Sequence, residues 1–206
     1  MGQNKIKAAI AGMLARLIAR PDEGLVSALN SGELGRALMP LISMQGPVSG
    51  FLNAGYTLEG LTAMYDKAMG PASAGSLLPV ESLFKVWCDV AEDGQPSNAA
   101  RGLLMGDPAM HMIELYSCFG IALPADFSGQ PDHLTLELEF LSILYEKCPD
   151  EMVRRFIMDH LDWVPELLMQ WRELQVPDFY VGVAEAIDSF LKNEIAGFRC
   201  NQEVHV

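Results

Sequence analysis

Residues 129–147, GQPDHLTLELEFLSILYEK, place a Pro-Asp-His turn directly before a long apolar run. The run begins with the alternation of a half-buried strand. It then continues to Tyr145 without a turn signal, and its Glu and Leu residues favour a helix. Because the segment is apolar on nearly every side, it predicts a helix buried at the centre of the fold.

The turn itself carries two candidate functional groups. Pro131 fixes its own φ angle. Asp132 is placed to cap the helix by accepting hydrogen bonds from N–H groups one turn on. Glu137 and Glu139 fall near the positive end of the helix dipole. On local chemistry alone, a purely stabilising role for Asp132 and His133 is favoured over a functional one.

Helical periodicity dominates the rest of the chain, and strands do not alternate with helices, so the predicted fold class is all-α. Pro79 is predicted to start a helix, and Asp107 is predicted to cap the next one, which Gly120 ends. Further helices are predicted at 58–69 and 150–160 and from residues 22, 165 and 178. The helix predicted from Pro79 has Val80, Leu83, Phe84, Trp87 and Val90 on one face.

The amino terminus superficially resembles a secretory signal, because Lys5 and Lys7 precede a short apolar run. Arg16 interrupts that run, and Ile6, Ile10, Leu14 and Leu17 recur at helical spacing. This pattern predicts an amphipathic first helix instead. The sequence has no apolar run of about 18 residues, so no membrane span is predicted.

Residues 121–131 are rich in Pro, Gly, Asp and Ser, which is typical of a loop. We interpret them as a hinge between an amino-terminal helical half, 1–120, and a carboxyl-terminal half, 132–206. Two halves joined by one loop can exchange between protomers. A monomer or a swapped homodimer is therefore expected.

The net charge of −13 argues against a nucleic-acid partner, which requires Lys and Arg to displace counterions. It permits attraction to a basic partner, although an acidic composition can also reflect solubility alone.

The four cysteines are widely spaced and have no zinc-ribbon pattern, so buried, reduced thiols and a cytoplasmic location are expected.

Metal and nucleotide sites are weakly indicated. His111, Glu114 and Cys118 recur one helical turn apart, and His133 and Glu137 have ligand-pair spacing, but neither set has further ligands, so no metal is expected. The glycine-rich segment at 70–76 lacks the lysine of a phosphate loop. Hydrolase motifs are absent from the sequence as well.

The turn and helix supply a Pro-Asp-His-Leu-x-x-Glu-Leu-x-Phe-Leu pattern, and residues 79–84 read Pro-Val-Glu-Ser-Leu-Phe. Together with further segments, these resemble the TorD/DmsD/NarJ family of redox-enzyme maturation chaperones, with the TorD/DmsD branch favoured. Residues 79–84 are similar to the family's Pro-x-Glu-Ser-Val-Tyr segment. The resembling positions are Pro131, Asp132, His133, Leu134, Glu137, Leu138, Phe140, Leu141, the segment 79–84, Tyr116 with Gly120, the segment 160–165, Phe179, Tyr180, Phe190 and Leu191.

The resemblance implies a bundle of roughly eight to eleven helices that acts by binding rather than catalysis. The partner would be the twin-arginine leader or apoprotein of a molybdopterin-dependent oxidoreductase, held during cofactor insertion and before export. Asp132 would face a leader arginine, and an apolar groove would take the hydrophobic segment. The peptide-binding residues expected on this basis are Asp132, His133, Trp87, Tyr116, Glu81, Ser82, Phe84, Pro131 and Gly120.

Alternatives remain open from the residues themselves. The aromatic residues at helical spacing suit a core as well as a groove. The dozen methionines suit a surface that accepts variable apolar sequences. A nucleotide- or metal-dependent hydrolase on a helical scaffold and a structural subunit are the other function classes. No cofactor is expected, and weak GTP binding follows only from the family analogy.

Overall fold

A computed structural model describes residues 2–38, 55–70, 75–85 and 103–203, with side chains as far as residue 197. Within these ranges every regular element is helical, apart from an isolated bridge between Val80 and His133. The predicted all-α class is confirmed. The helices are α1 (Gln3–Ile18), α2 (Glu23–Asn30), α3 (Glu33–Leu38), α4 (Leu58–Met69), α5 (Asp107–Cys118), α6 (Leu134–Lys147), α7 (Asp150–His160), α8 (Val164–Glu173) and α9 (Asp178–Glu203), with short 3₁₀ turns at Glu81–Leu83 and Ala125–Phe127.

Helix α6 is the centre of the fold, as its apolar sequence predicts. Its first five residues and most of the following turns are buried. Helix α1 packs along it, and the hydroxyl of Ser142 on α6 donates to the carbonyl of Ala8 at 2.9 Å. The predicted apolar face of α1 is buried at Ile10, Leu14 and Leu17, whereas Ile6 at its outer end is exposed.

Helix α9 borders this pair through its contact with α1. It packs against α8 and contacts α1, α4 and α7. The carboxylate of Glu194 accepts a hydrogen bond from the hydroxyl of Tyr145 at 2.8 Å and forms an ion pair with Lys7 at 2.7 Å. One acid thus joins α1, α6 and α9. In the described ranges, none of the helices has both the length and the apolar content needed to cross a membrane.

The end of α5 confirms the predicted role of Gly120. Its φ is +67°, and the amides of Gly120 and Ile121 donate to the carbonyls of Ser117 and Tyr116 at 3.0 and 2.8 Å. This is the Schellman arrangement, which requires a left-handed residue after the helix. The start of α5 differs from the prediction, because Gly106 is the N-cap and Asp107 is already helical.

The prediction of a helix starting at Pro79 is wrong for residues 79–85, the part of that segment that the structure describes. Pro79 and Val80 are extended, and a single 3₁₀ turn follows at Glu81–Leu83. The extended conformation is favoured because Leu134 N–H donates to the Pro79 carbonyl at 2.9 Å and Glu81 N–H donates to the Asp132 carbonyl at 3.0 Å. Trp87 and Val90 lie outside the described residues, as does 71–74 of the glycine-rich segment.

The proposed division into two halves stays a prediction. The hinge segment 121–131 contains one 3₁₀ turn and otherwise irregular backbone. Helix α1 from the first half packs along α6 from the second. The halves therefore share a core, and an exchange between protomers would have to rebuild that pairing across two chains.

Candidate functional site

The Pro-Asp-His turn is fastened to the segment that begins at Pro79. Both the backbone N–H and the hydroxyl of Ser82 donate to Oδ2 of Asp132, the former at 2.7 Å. Burial raises the pKa of Asp132 and Glu81 adds to this, although the two bonds from Ser82 oppose it. Asp132 is fully buried. The prediction that it caps α6 is wrong, because its carboxylate accepts hydrogen bonds from the 79–85 segment instead.

His133 is the residue that caps α6. Its Nδ1 accepts a hydrogen bond from Thr135 N–H at 3.2 Å. The ring is almost completely buried and lies edge-on to Phe127, with ring centroids 5.1 Å apart. Burial lowers the pKa of His133 to about 4, so the imidazole is neutral near pH 7. An unprotonated Nδ1 is what the cap requires.

Tyr116 and Phe84, which are also predicted at the site, lie at this junction. The hydroxyl of Tyr116 donates to the carbonyl of Pro131 at 2.8 Å. The ring of Phe84 stacks on Trp163 with centroids 4.9 Å apart. Gly120 is exposed at the end of α5, and Trp87 lies outside the described residues.

The structure therefore brings most of the predicted residues together, with their side chains directed inward. Glu81, Ser82, Asp132, His133, Tyr116 and Phe84 are all buried. In this arrangement they join the 79–85 segment to α6 and do not form a surface. Their assignment as peptide-binding residues stays a prediction.

A chain of ionisable side chains, which are too far apart in the sequence for a local pattern to connect, lies beside this junction. Oε2 of Glu81 is 2.8 Å from Nδ1 of His160, and Nε2 of His160 is 2.8 Å from Nδ1 of His111. Burial lowers the pKa of His111, and the neighbouring His160 lowers it further. The chain runs from a fully buried acid to a half-buried imidazole.

Lys85 lies on the other side of Glu81. Its Nζ is 3.2 Å from Oε1 of Glu81 and 2.6 Å from Oδ1 of Asp162, and it donates to the carbonyl of Asp159 at 2.7 Å. Burial alone would lower the pKa of Lys85, but these carboxylates raise it. Its positive charge is thus divided between Glu81 and Asp162.

Glu137 completes what we call the acid–histidine cluster, which consists of Glu81, Glu137 and His160. One ligand atom from each residue lies within 4.8 Å of the other two, and all three side chains are buried. Neither carboxylate oxygen of Glu137 has a hydrogen-bond partner of normal geometry among the described residues. Burial raises the pKa of Glu137 well above its usual range, and the charges of Glu81 and Asp132 add to this effect.

One sequence signal could have located this cluster. Glu137 falls on the same helical face as Phe140, Leu141 and Leu144, all of which are buried. A carboxylate on an apolar stripe needs a buried partner. By its position in the sequence Glu137 is associated only with the helix dipole, and the partners of His160 are too distant in the chain for a local pattern to indicate them.

An open cleft lies next to the cluster, between α5, α6 and α7. This three-helix cleft has a volume of about 280 Å³. Its walls are mainly apolar and its polar groups include an Arg155–Asp159 ion pair at 3.3 Å. His111 and His160 line the cleft, so the acid–histidine cluster lies directly behind its wall. The lining residues are His111, Leu115, Phe119, Phe140, Leu144, Met152, Arg155, Phe156, Asp159 and His160.

A second and smaller cleft, of about 170 Å³, opens between α6 and the hinge segment. We call it the loop cleft. It shares Phe140 with the three-helix cleft, and Glu139 is its acidic residue; burial raises the pKa of that carboxyl. The lining residues are Tyr116, Ile121, Ala122, Leu123, Pro124, Leu136, Glu139, Phe140 and Ile143.

The methionines divide between core and surface. Met69 and Met112 are buried, whereas Met105, Met110, Met152, Met158 and Met169 are exposed. Of the exposed ones, Met152 lines the three-helix cleft. Among the cysteines with described side chains, Cys118 is exposed and Cys148 is partly buried, so the expectation of a buried thiol is wrong for Cys118.

The all-α architecture agrees with the class of protein that the sequence resembles. The chain belongs to the nitrate reductase delta subunit family, the TorD/NarJ family, which matches residues 33–169, more than half of its length. This confirms the family resemblance of the sequence motifs.

Two curated relatives are similar to this chain. Chaperone protein TorD of Aliivibrio fischeri is 27% identical over 106 residues, which cover 46% of this chain and 49% of the relative. Chaperone protein TorD of Vibrio parahaemolyticus is 29% identical over 107 residues, covering 46% and 50%. The chain spans about half the length of the curated relatives it matches.

Proposed function

We propose that this protein is a cytoplasmic redox-enzyme maturation chaperone. Its client would be a molybdopterin-dependent oxidoreductase, bound through a twin-arginine leader or an apoprotein surface until cofactor insertion is complete. Family membership and the two TorD relatives support the chaperone class. The observation that carries the binding mode is the three-helix cleft, an apolar cleft on a protein with a net charge of −13.

The chemistry of the cleft suits a segment that is both hydrophobic and basic. Phe119, Phe156 and Leu115 offer apolar area for a hydrophobic segment, in the manner of a peptide that binds in a groove. Met152 at the cleft adapts to side chains of different shape. The acidic surface attracts the arginines that precede such a segment.

The Pro-Asp-His turn has an indirect part in this proposal. Asp132 and Ser82 hold the 79–85 segment, and Tyr116 is bonded to Pro131 next to the loop cleft. Phe140 forms part of both clefts, so the packing of α6 sets the shape of each. The turn therefore positions the walls that contact the client, and its own side chains remain covered.

Two methionines on α7 provide the sharpest test. Met152 and Met158 are exposed to the same degree, 48% and 47%, but only Met152 lines the three-helix cleft. A leader peptide with two arginines and a hydrophobic segment should bind the purified protein, and Met152→Gln should weaken that binding by roughly three- to tenfold, as expected for about 1 kcal/mol of lost apolar contact.

Met158→Gln is the matched control and should leave the affinity unchanged. Fluorescence anisotropy with a labelled peptide measures both, and a peptide with the two arginines replaced by glutamine tests the charge contribution. Equal weakening by the two substitutions, or no binding to the unsubstituted protein, would contradict leader binding in the cleft.

A further inference from the structure

We propose that the acid–histidine cluster is a binding site for one divalent transition-metal ion, held by Glu81, Glu137 and His160. The inference is independent of client binding. The three residues come from the 79–85 segment, α6 and α7, and one ligand atom of each lies within 4.8 Å of the others. A cation bound there would join three segments that are far apart in sequence.

The carboxyl group of Glu137 provides the first argument. It is fully buried, and neither of its oxygens has a hydrogen-bond partner of normal geometry among the described residues. A buried carboxyl group without a partner is strongly unfavourable. It lies within ligand distance of a second buried carboxylate and an imidazole, which a cation could bridge after small side-chain rotations.

The orientation of His160 is the second argument. Its Nδ1 lies toward Glu81, and its Nε2 lies 2.8 Å from Nδ1 of His111. A histidine that binds metal through one ring nitrogen usually donates the other N–H to a neighbouring acceptor, which fixes the tautomer and the ring. His111 is placed to be that acceptor, so the ring of His160 presents Nδ1 toward Glu81 and the cluster.

Charge balance agrees with a divalent ion. Metal ligands bind in their deprotonated forms, so two glutamates and one imidazole would supply a charge of about −2 to a bound ion. Lys85 contacts the other oxygen of Glu81, Oε1, and its charge is shared with Asp162. The oxygen nearest His160, Oε2, therefore remains oriented toward the cluster.

The ligand set indicates which ions would bind, and the neighbouring cleft provides a route from solvent. One imidazole and two carboxylates suit Zn²⁺, Mn²⁺, Fe²⁺ or Co²⁺, whereas Ca²⁺ takes six to eight oxygen ligands. His111 and His160 line the three-helix cleft, which is open to solvent. An ion can thus reach the cluster along the imidazoles without unfolding the core.

Binding can be measured on the full chain, stripped of metal by a chelator and carrying no histidine tag. Isothermal titration with Zn²⁺ should give one equivalent of binding, and Co²⁺ should give a visible absorption band. Glu137→Gln should reduce the affinity at least tenfold, while Glu139→Gln, the matched change of an acid on the same helix that is not part of the cluster, should leave it unchanged.

Glu137→Gln removes a buried acid, so the variant is expected to fold, and circular dichroism verifies this. His160→Gln is the second variant and should lose the same binding. The proposal is overturned if the unsubstituted protein binds no ion. It is also overturned if Glu137→Gln and Glu139→Gln bind Zn²⁺ with equal affinity, which would indicate an adventitious surface ion only.

Discussion

The carboxylate of Asp132 accepts two hydrogen bonds from Ser82, a residue fifty positions earlier in the chain, one from its backbone and one from its hydroxyl. Both side chains are buried. This pair of bonds replaces the helix cap that the sequence suggests for Asp132. The Pro-Asp-His turn therefore makes tertiary hydrogen bonds that hold the 79–85 segment against the start of α6.

Loss of the Ser82 hydroxyl should destabilise the protein. Ser82→Ala leaves the buried carboxylate of Asp132 with one hydrogen bond, and the free energy of unfolding should fall by about 1–3 kcal/mol. Chemical denaturation followed by circular dichroism measures this. Ser117→Ala, on the exposed face of α5, is the control and should have little effect. Similar values for both substitutions would show that the bond to Asp132 contributes little.

His133 should make the stability of the protein depend on pH. Its pKa is about 4 in the fold, against an ordinary value of 6.5. Between these values the unfolded chain binds a proton that the folded chain does not. The contribution is therefore fully present above pH 6.5 and is lost as the pH falls toward 4, by roughly 3 kcal/mol at most.

His133→Asn isolates this effect from the other titrating groups. Asparagine is a good N-cap, so its side-chain oxygen can accept from Thr135 N–H in place of Nδ1. The unfolding free energy of the variant, measured by urea denaturation at several pH values, should fall less steeply between pH 6.5 and 4 than that of the unsubstituted protein. Parallel curves would contradict the assignment of the buried, neutral imidazole.

Gly120 should be intolerant of a side chain for reasons of backbone conformation alone. Its φ is +67°, and an added Cβ would meet nothing within 4 Å. Gly120→Ala should therefore lower the free energy of unfolding by about 1–2 kcal/mol, because alanine is strained in the left-handed conformation. Gly120→Asn should lower it less. Gly129→Ala, where an added Cβ also meets nothing and φ is not positive, should be nearly neutral.

The hinge segment 121–131 is the place where a domain exchange would occur. If the halves exchange, α1 of one protomer packs along α6 of another, because α1 and α6 form the most extensive pair among the described helices. Light scattering during size exclusion, at several protein concentrations, should then detect a dimer of twice the 22.6 kDa chain mass that converts slowly to monomer. A strictly monomeric profile would contradict exchange.

Local sequence determined the helical class and most of the boundaries. Helix α4 at Leu58–Met69, α7 at Asp150–His160 and the start of α9 at Asp178 agree with the predicted spans. Apolar periodicity and terminal residues act within one or two helical turns, so they can be read without knowing the fold. The central burial of α6 also followed from its composition.

The tertiary structure decided the roles of the polar residues. The sequence places Asp132 next to its helix and Glu137 one turn inside it, but only packing brings Ser82 to the first and Glu81 and His160 toward the second. A 3₁₀ turn forms where the sequence predicts a helix after Pro79, because backbone groups of residues 132–134 bond to the carbonyl of Pro79 and the N–H of Glu81. Hydrogen bonds and charge pairs between distant segments depend on which surfaces pack together, and a local sequence pattern does not determine that packing.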